Sequence, residues 1–275
     1  MRFLQWATLV SGCAVLGAAG QQQPSFRGGS ETVCVFVTVA DRDGRLVTTL
    51  TRDDFEVRDE NKPQPITLFD NAPQPILLIL MLDVSGSMEG NLPLLRAAAA
   101  QLFARLGADD VARVGTFGRE VAISPSFTHD VRALDAALPA AIAPDAPTPL
   151  WLAVDRAMDG FGTADDRRKV VLVLSDGKDT GVQSFRQRPV SQAEAIDGAR
   201  REDVMIYAIG MRSRGSRPGP PAAGPGGLQA LLLADLPDPG LARVAEESGG
   251  GYTEIRAGQD LGAAFTGVAD ELHSQ

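Results

Sequence analysis

Residues 76–82, ILLILML, form an unbroken apolar run one strand long, and the run stops at Asp83 with serines at 85 and 87 on either side of a glycine. Apolar residues without polar alternation predict a strand buried on both faces, the habit of parallel sheets covered by helices. Comparable strand patterns recur at 111–117, 121–124, 169–174, 204–209 and 252–255. Between them apolar residues return every three or four positions. Leu92, Leu95, Ala99, Leu102, Phe103 and Leu106 line one predicted helix, and Leu150, Val154, Ala157 and Phe161 another. A last helix from Asp260 carries Leu261, Phe265, Val268 and Leu272 on one face. Buried strands alternating with amphipathic helices predict an α/β fold, a doubly wound and mostly parallel six-stranded sheet. The short link after Phe117 permits only a hairpin, so 121–124 is expected as an antiparallel edge strand.

Upstream the pattern changes. Residues 31–72 alternate short apolar stretches with turn sequences (TVCVFVTVA, DRDG, RLVTTL, DFEVRD, ENKP, PITLFD). They predict a small N-terminal β unit of roughly four strands, too small to stand alone. DRDG is read as a hairpin turn. A calcium loop starting at Asp41 needs an acidic residue at its twelfth position, and that position is Arg52. A second break spans 211–239, where Pro and Gly content forbids regular structure over most of the segment. This insert leaves the carboxyl end of its strand, so it is expected on the same sheet edge as Asp83, bringing Arg212, Arg214 and Arg217 there.

The first 20 residues have an early Arg2, an apolar stretch through Leu16 and small residues before a Gln-rich run, the layout of a secretory signal peptide. The apolar stretch is shorter than the roughly 20 residues a bilayer crossing needs. Residues 21–30 read as a linker, and the main domain as 73–275. Export to a periplasm or the cell exterior is therefore expected. LVSGC resembles the bacterial lipoprotein box, so membrane attachment enters only if Cys13 is lipidated; the apolar residues after Cys13 are unlike a polar tether. Cleavage after Gly20 leaves Cys34 alone, which excludes an intramolecular disulfide and a thiolate metal site.

Composition narrows the partners. The 275 residues are 44% hydrophobic, enough for a substantial core. A net charge of -9 and the lack of any basic cluster exclude nucleic acid as the expected partner.

Open parallel sheets bind ligands beyond the carboxyl ends of their strands, where strand order reverses. Asp83 and Asp176 end two strands expected to be neighbours there. Thr148 before Pro149 reads as a helix N-cap that aims a hydroxyl at the same crevice. Asp83, Ser85, Ser87, Thr148 and Asp176 offer only oxygen, which selects a hard divalent cation. Mg2+ fits best, with Mn2+ and Ca2+ as alternatives. Asp179 is expected as a turn residue or as one that supports the ligands from behind, not as a ligand, and Trp151 as core.

DVSGSM, Thr148 in PTPL and Asp176 in LSDGKD together resemble the metal-ion-dependent adhesion site of von Willebrand factor type A domains, D-x-S-x-S, then T, then D. VTVADRDGRLVTTLTRDDFEVRDENKPQPITLF and LARVAEESGGGY resemble bacterial, acidobacterial-type proteins of that family. The resemblance implies a Rossmann-like fold. It also implies that Ser85, Ser87 and Thr148 touch the metal directly while Asp83 and Asp176 act mainly through water. The function it implies is non-enzymatic protein binding, with an acidic side chain of the partner completing the metal's coordination. The alternative is a magnesium-dependent hydrolase or phosphatase. Against it, Ser85 stands where a dehalogenase-type phosphatase needs a second aspartate, and Asp83 and Ser87 stand where a serine-hydrolase elbow needs glycines. Only His129 and His273 could act as a base. A third reading, a cytosolic domain beside a chaperone-like ATPase, is opposed by the leader.

Overall fold

The computed structural model describes residues 50–70, 74–162, 167–176, 178–182, 187–212, 237–256 and 260–273, together with residues 33, 35, 37, 39 and 47. The chain divides into two units, Met1–Val33 and Cys34–Gln275, and of the first only Val33 is described. The predicted leader, the linker and most of the 211–239 insert lie outside the described residues.

Strands β1 (Val57–Asp59) and β2 (Lys62–Gln64) pair antiparallel with every residue exposed. Glu60 and Asn61 between them have φ of 45° and 64°, the left-handed pair that a tight two-residue hairpin turn demands. That turn corrects the strand expected at 65–70. Because the chain reverses at Glu60, the residues facing β1 are 62–64, and 65–70 is irregular. The two strands predicted upstream fall mostly on undescribed residues, although the Val47 amide donates to the Val39 carbonyl at 2.8 Å, as a hairpin around DRDG requires.

The main sheet has six strands, β3 (Ile76–Asp83), β4 (Val111–Phe117), β5 (Val121–Ile123), β6 (Arg168–Ser175), β7 (Val204–Met211) and β8 (Tyr252–Ile255). Their order is β5-β4-β3-β6-β7-β8, antiparallel only between β4 and β5. All eight residues of β3 are buried. Its alternate side chains enter two separate cores, as the twofold repeat of a strand dictates. Ile76, Leu78, Leu80 and Leu82 pack with α1 (Leu92–Phe103), α2 (Val131–Ala136) and α6 (Leu261–Leu272). Leu77, Ile79 and Met81 pack with α3 (Leu150–Asp159), α4 (Gln192–Glu202) and α5 (Gly240–Glu247). Each such leucine or isoleucine contributes roughly 1.5–3 kcal/mol by leaving water. Local caps set the helix starts: Asp130 for α2, a Ser191–Glu194 capping box for α4 and Asp260 for α6.

At the amino-terminal edge of the sheet a polar cluster holds the end of α6. Asp110 accepts from the amides of Ile76 at 2.9 Å and Gly107 at 2.6 Å, and lies 2.6 Å from His273 Nε2. The Arg168 guanidinium donates to the Leu272 carbonyl, and the Tyr207 hydroxyl to Glu271 at 3.3 Å. Burial works to raise the Asp110 pKa, but the hydrogen bonds from His273, Ile76 and Gly107 outweigh it and leave the carboxyl below its usual value. The hydrogen bond to Asp110 raises His273.

Candidate functional site

Strand order reverses between β3 and β6. The chain leaves β3 toward β4 on one side and later returns to β6 on the other. The loops after these two strands therefore diverge from a common crevice, as the expectation for an open parallel sheet has it. Asp83 is the last residue of β3 and Asp176 directly follows β6; both are buried.

The loop after β3 is folded by its own polar groups. Asp83 Oδ1 accepts from the Ser85 amide at 2.9 Å, and Asp83 Oδ2 accepts from the Ser175 hydroxyl at 2.6 Å. This fixes the carboxylate between two strand ends. A short 3-10 turn, Gly86–Met88, then brings the Ser85 and Ser87 hydroxyl oxygens to 3.0 Å from each other. Ser87 donates to Asp176 Oδ1 at 2.6 Å. The neighbouring segment comes so close that a Cβ on Gly86 would sit 1.9 Å from the Pro144 carbonyl oxygen, while the Ala143 amide donates to the Val84 carbonyl at 3.0 Å. Glycine at 86 is thus required for the loop to lie against the approach to α3.

Four of the five candidate residues, Asp83, Ser85, Ser87 and Asp176, form one hydrogen-bonded chain. Thr148 joins the crevice by its backbone instead. Its amide donates to the Thr180 hydroxyl at 2.8 Å, and its carbonyl accepts from the Thr180 amide at 3.0 Å. The expected N-cap role of Thr148 is corrected. Helix α3 starts at Leu150 with Pro149 at the cap position, and the side-chain acceptor for the Leu150 amide is Asp179 Oδ1 at 2.9 Å. Pro149 has no side-chain oxygen to offer and the Thr148 carbonyl already accepts from Leu150, so the side-chain cap comes from the loop after β6. Among the described residues no hydrogen bond uses the Thr148 hydroxyl. Sequence reading gave Ser175 no role; it lies at the end of an apolar run, and only the pairing of β3 with β6 reveals its partner. Trp151 is core, as expected.

The electrostatics of the crevice are unbalanced. Burial raises the Asp176 pKa to about 6, the negative charge of Asp83 adds to the rise, and the Ser87 hydrogen bond opposes it. A rise of that size disfavours the carboxylate by on the order of 3 kcal/mol. Asp83 is raised too, by burial, against the hydrogen bonds from Ser175 and Ser85. Asp176 Oδ2 is buried and has no hydrogen-bond partner among the described residues. Unpartnered buried carboxylate oxygen is costly, and a cation is the partner that also removes the charge penalty. No group of three or more His, Cys, Asp or Glu suited to a metal occurs among the described residues, so a cation here would be held by two carboxylates and hydroxyls.

Of the insert at 211–239, residues 211, 212 and 237–239 are described. Arg212 follows the last residue of β7 and is paired with Glu254 at 2.6 Å. Arg214 and Arg217 lie outside the described residues.

Comparison with known proteins follows the same lines. Residues 78–178 match the family model of the von Willebrand factor type A domain. No curated protein shows significant similarity to the chain. Among solved structures, an aerotolerance-related membrane protein from Bacteroides fragilis aligns at a TM-score of 0.53 and 13% identity, over 73% of this chain and 100% of that one. A von Willebrand factor type A protein from Catenulispora acidiphila aligns at 0.53 and 17%, over 72% of this chain and 43% of that one. The pilus adhesin SpaC from Lactobacillus rhamnosus aligns at 0.51 and 10%, over 73% of this chain and 31% of that one. At such identities the likeness is one of fold. The matched segment carries D-x-S-x-S, Thr148 and Asp176 on adjoining loops of a doubly wound sheet, so residues 78–178 of this chain are similar to a von Willebrand factor type A domain in sequence pattern and in fold.

Proposed function

We propose that the crevice binds a divalent cation, Mg2+ by preference and Mn2+ or Ca2+ in its place, and through it a protein partner. Asp83, Ser85, Ser87, Thr148 and Asp176 would hold the ion. The observation that carries this reading is the Ser87–Asp176 bond, beside which Asp176 Oδ2 is left buried and without a partner. An oxygen-only donor set with two carboxylates matches the charge and hardness of such ions. When bound, the ion supplies an electrophilic position that a carboxylate of the partner can fill. Ser85 and Ser87 fix the site's floor, and Asp83 is held in place by Ser175.

The hydrolase alternative draws no support from His273. That imidazole bonds Asp110 beside the first residue of β3, at the opposite end of the strands from Asp83. Residues 1–20 are read as a leader that exports the chain to the periplasm or the exterior, with attachment through Cys13 only if lipidated. Residues 31–72 are read as a β unit preceding the binding domain at 73–275. No helix among the described residues is long and apolar enough to cross a membrane.

Calorimetry with Mg2+ and Mn2+ tests the site, using Asp176→Asn, which keeps an acceptor for Ser87 while removing the charge. Binding in the wild type and its loss in the variant is the expected result; equal affinity in both ends the reading. Capture from the native envelope with Mg2+ and with chelator then tests for a cation-dependent protein partner.

A further inference from the structure

Asp179 stands apart from the five candidate residues and yet governs the place of one of them. Its Oδ1 accepts from the Leu150 amide at 2.9 Å, so a residue on the loop after β6 caps a helix that begins 29 positions earlier. The next residue, Thr180, brackets Thr148 from both sides, accepting from its amide at 2.8 Å and donating to its carbonyl at 3.0 Å. The Asp179–Thr180 pair thus holds the backbone on which the Thr148 hydroxyl is mounted, before and after Pro149.

Asp179 is itself held. Its amide donates to Asp238 Oδ2 at 2.9 Å, and Asp238 Oδ1 accepts from the Gly240 amide at 2.8 Å, at the first residue of α5. The starts of α3 and α5 are also in close contact, since a Cβ on Gly240 would lie 2.6 Å from Trp151 Cζ2 and 2.8 Å from Gln192 Cδ. The Asp238–Asp179 bond thus links the start of α5 to the loop that caps α3. Side chains that orient a ligand residue from behind are the usual means by which a protein tunes a metal site.

We propose that Asp179, seated by Asp238, is the positioning residue that sets Thr148 for cation binding and couples the start of α5 to the site. The inference rests on the cation reading above and assigns the site's adjustable member to Thr148, because the other four candidate residues are already joined by their own side-chain and backbone hydrogen bonds.

The test uses the full chain and Mn2+, with affinity read by calorimetry and water-proton relaxation read per bound ion. Asp179→Ala is expected to weaken Mn2+ binding by about tenfold or more, in the range typical of lost supporting contacts. It should also raise the relaxation enhancement to the level of Thr148→Ala, because water takes the place of the displaced hydroxyl. Asp179→Asn retains an acceptor oxygen and is expected to restore both readings toward wild type. Asp238→Ala leaves Asp179 intact and is expected to move both readings in the same direction as Asp179→Ala, which keeps the test open even where Asp179→Ala does not fold. Wild-type affinity and relaxation in both Asp238→Ala and a folded Asp179→Ala would reduce Asp179 to a helix cap and overturn the proposal. Ser87→Ala separates the two levels: if wild type binds Mn2+ and Ser87→Ala does not, the cation reading stands whatever Asp179 does. A wild-type chain that binds no Mn2+ overturns both.

Discussion

Ser87 donates its hydroxyl to Asp176 Oδ1 at 2.6 Å, closing a gap of 89 positions in the chain and joining the loops that follow the two central strands. This bond holds down the pKa of a carboxyl that burial and Asp83 push up to about 6. Ser87→Ala is expected to raise the Asp176 pKa further, because it removes a hydrogen bond that stabilises the charged form. Carbon-detected titration of the Asp176 carboxyl checks this, and a fall in the midpoint contradicts it.

The raised Asp176 pKa also fixes a sign for stability without added cation. A group whose folded pKa lies above its unfolded value favours folding fully below the unfolded value near 3.9, and that contribution is lost as pH rises through about 6. In Asp176→Asn this dependence is removed. The stability of the wild type relative to the variant, followed by urea unfolding in chelator, is expected to fall between pH 4 and pH 7, and a flat difference over that span contradicts the assignment.

Gly86 lies where a Cβ would be 1.9 Å from the Pro144 carbonyl oxygen, a backbone atom that cannot swing aside. Gly86→Ala is expected to cost about 1–3 kcal/mol in unfolding free energy, as overpacking does. The two loops must part to admit the methyl group, so cation binding should weaken with it. Denaturant melts and calorimetry on the same preparation measure both effects.

Helix α3 takes its side-chain cap from Asp179 and not from Thr148. Asp179→Ala is therefore expected to lower stability by about 0.5–2 kcal/mol, the cost of a lost cap, whereas Thr148→Ala should leave the thermal midpoint close to wild type. The reverse ranking would return the cap to Thr148.

His273 and Asp110 at the far end of the sheet predict a different pH profile. His273 is raised, so its contribution is fully present below an unfolded value near 6.5 and fades as pH climbs through the folded value. Asp110 is lowered, so its contribution is present above about 3.9 and fades as pH falls through its folded value. The pair is strongest between these limits. Hydrogen exchange in the last turn of α6 is expected to quicken in the wild type as pH climbs through the raised His273 value, after correction for the intrinsic rate, and to lose that dependence in His273→Gln.

The apolar run 76–82 announced a strand buried on both faces, and β3 is that strand, because only a chain with apolar side chains at every position can face two cores. Alternation of such runs with helical periods carried the doubly wound architecture, and the short link after Phe117 carried the antiparallel edge. Asp83, Ser85 and Ser87 were legible for the same reason, since polar residues directly after a buried strand must lie at its end. The upstream hairpin was legible in kind but not in register, because Glu60 and Asn61 adopt left-handed backbone that no apolar pattern reveals.

Local pattern therefore determined the strands, the helices and the residue types at the strand ends, all of which depend on neighbours a few positions away. Partnership across the fold was decided by tertiary structure alone. Ser175 meets Asp83 because β6 lies beside β3, Asp179 caps a helix 29 positions behind it, and Asp110 meets a histidine 163 positions ahead. A hydrogen bond needs two groups within about 3 Å. Periodicity tells which face of an element a residue occupies, but only the packing of one element on another brings those two groups within that reach.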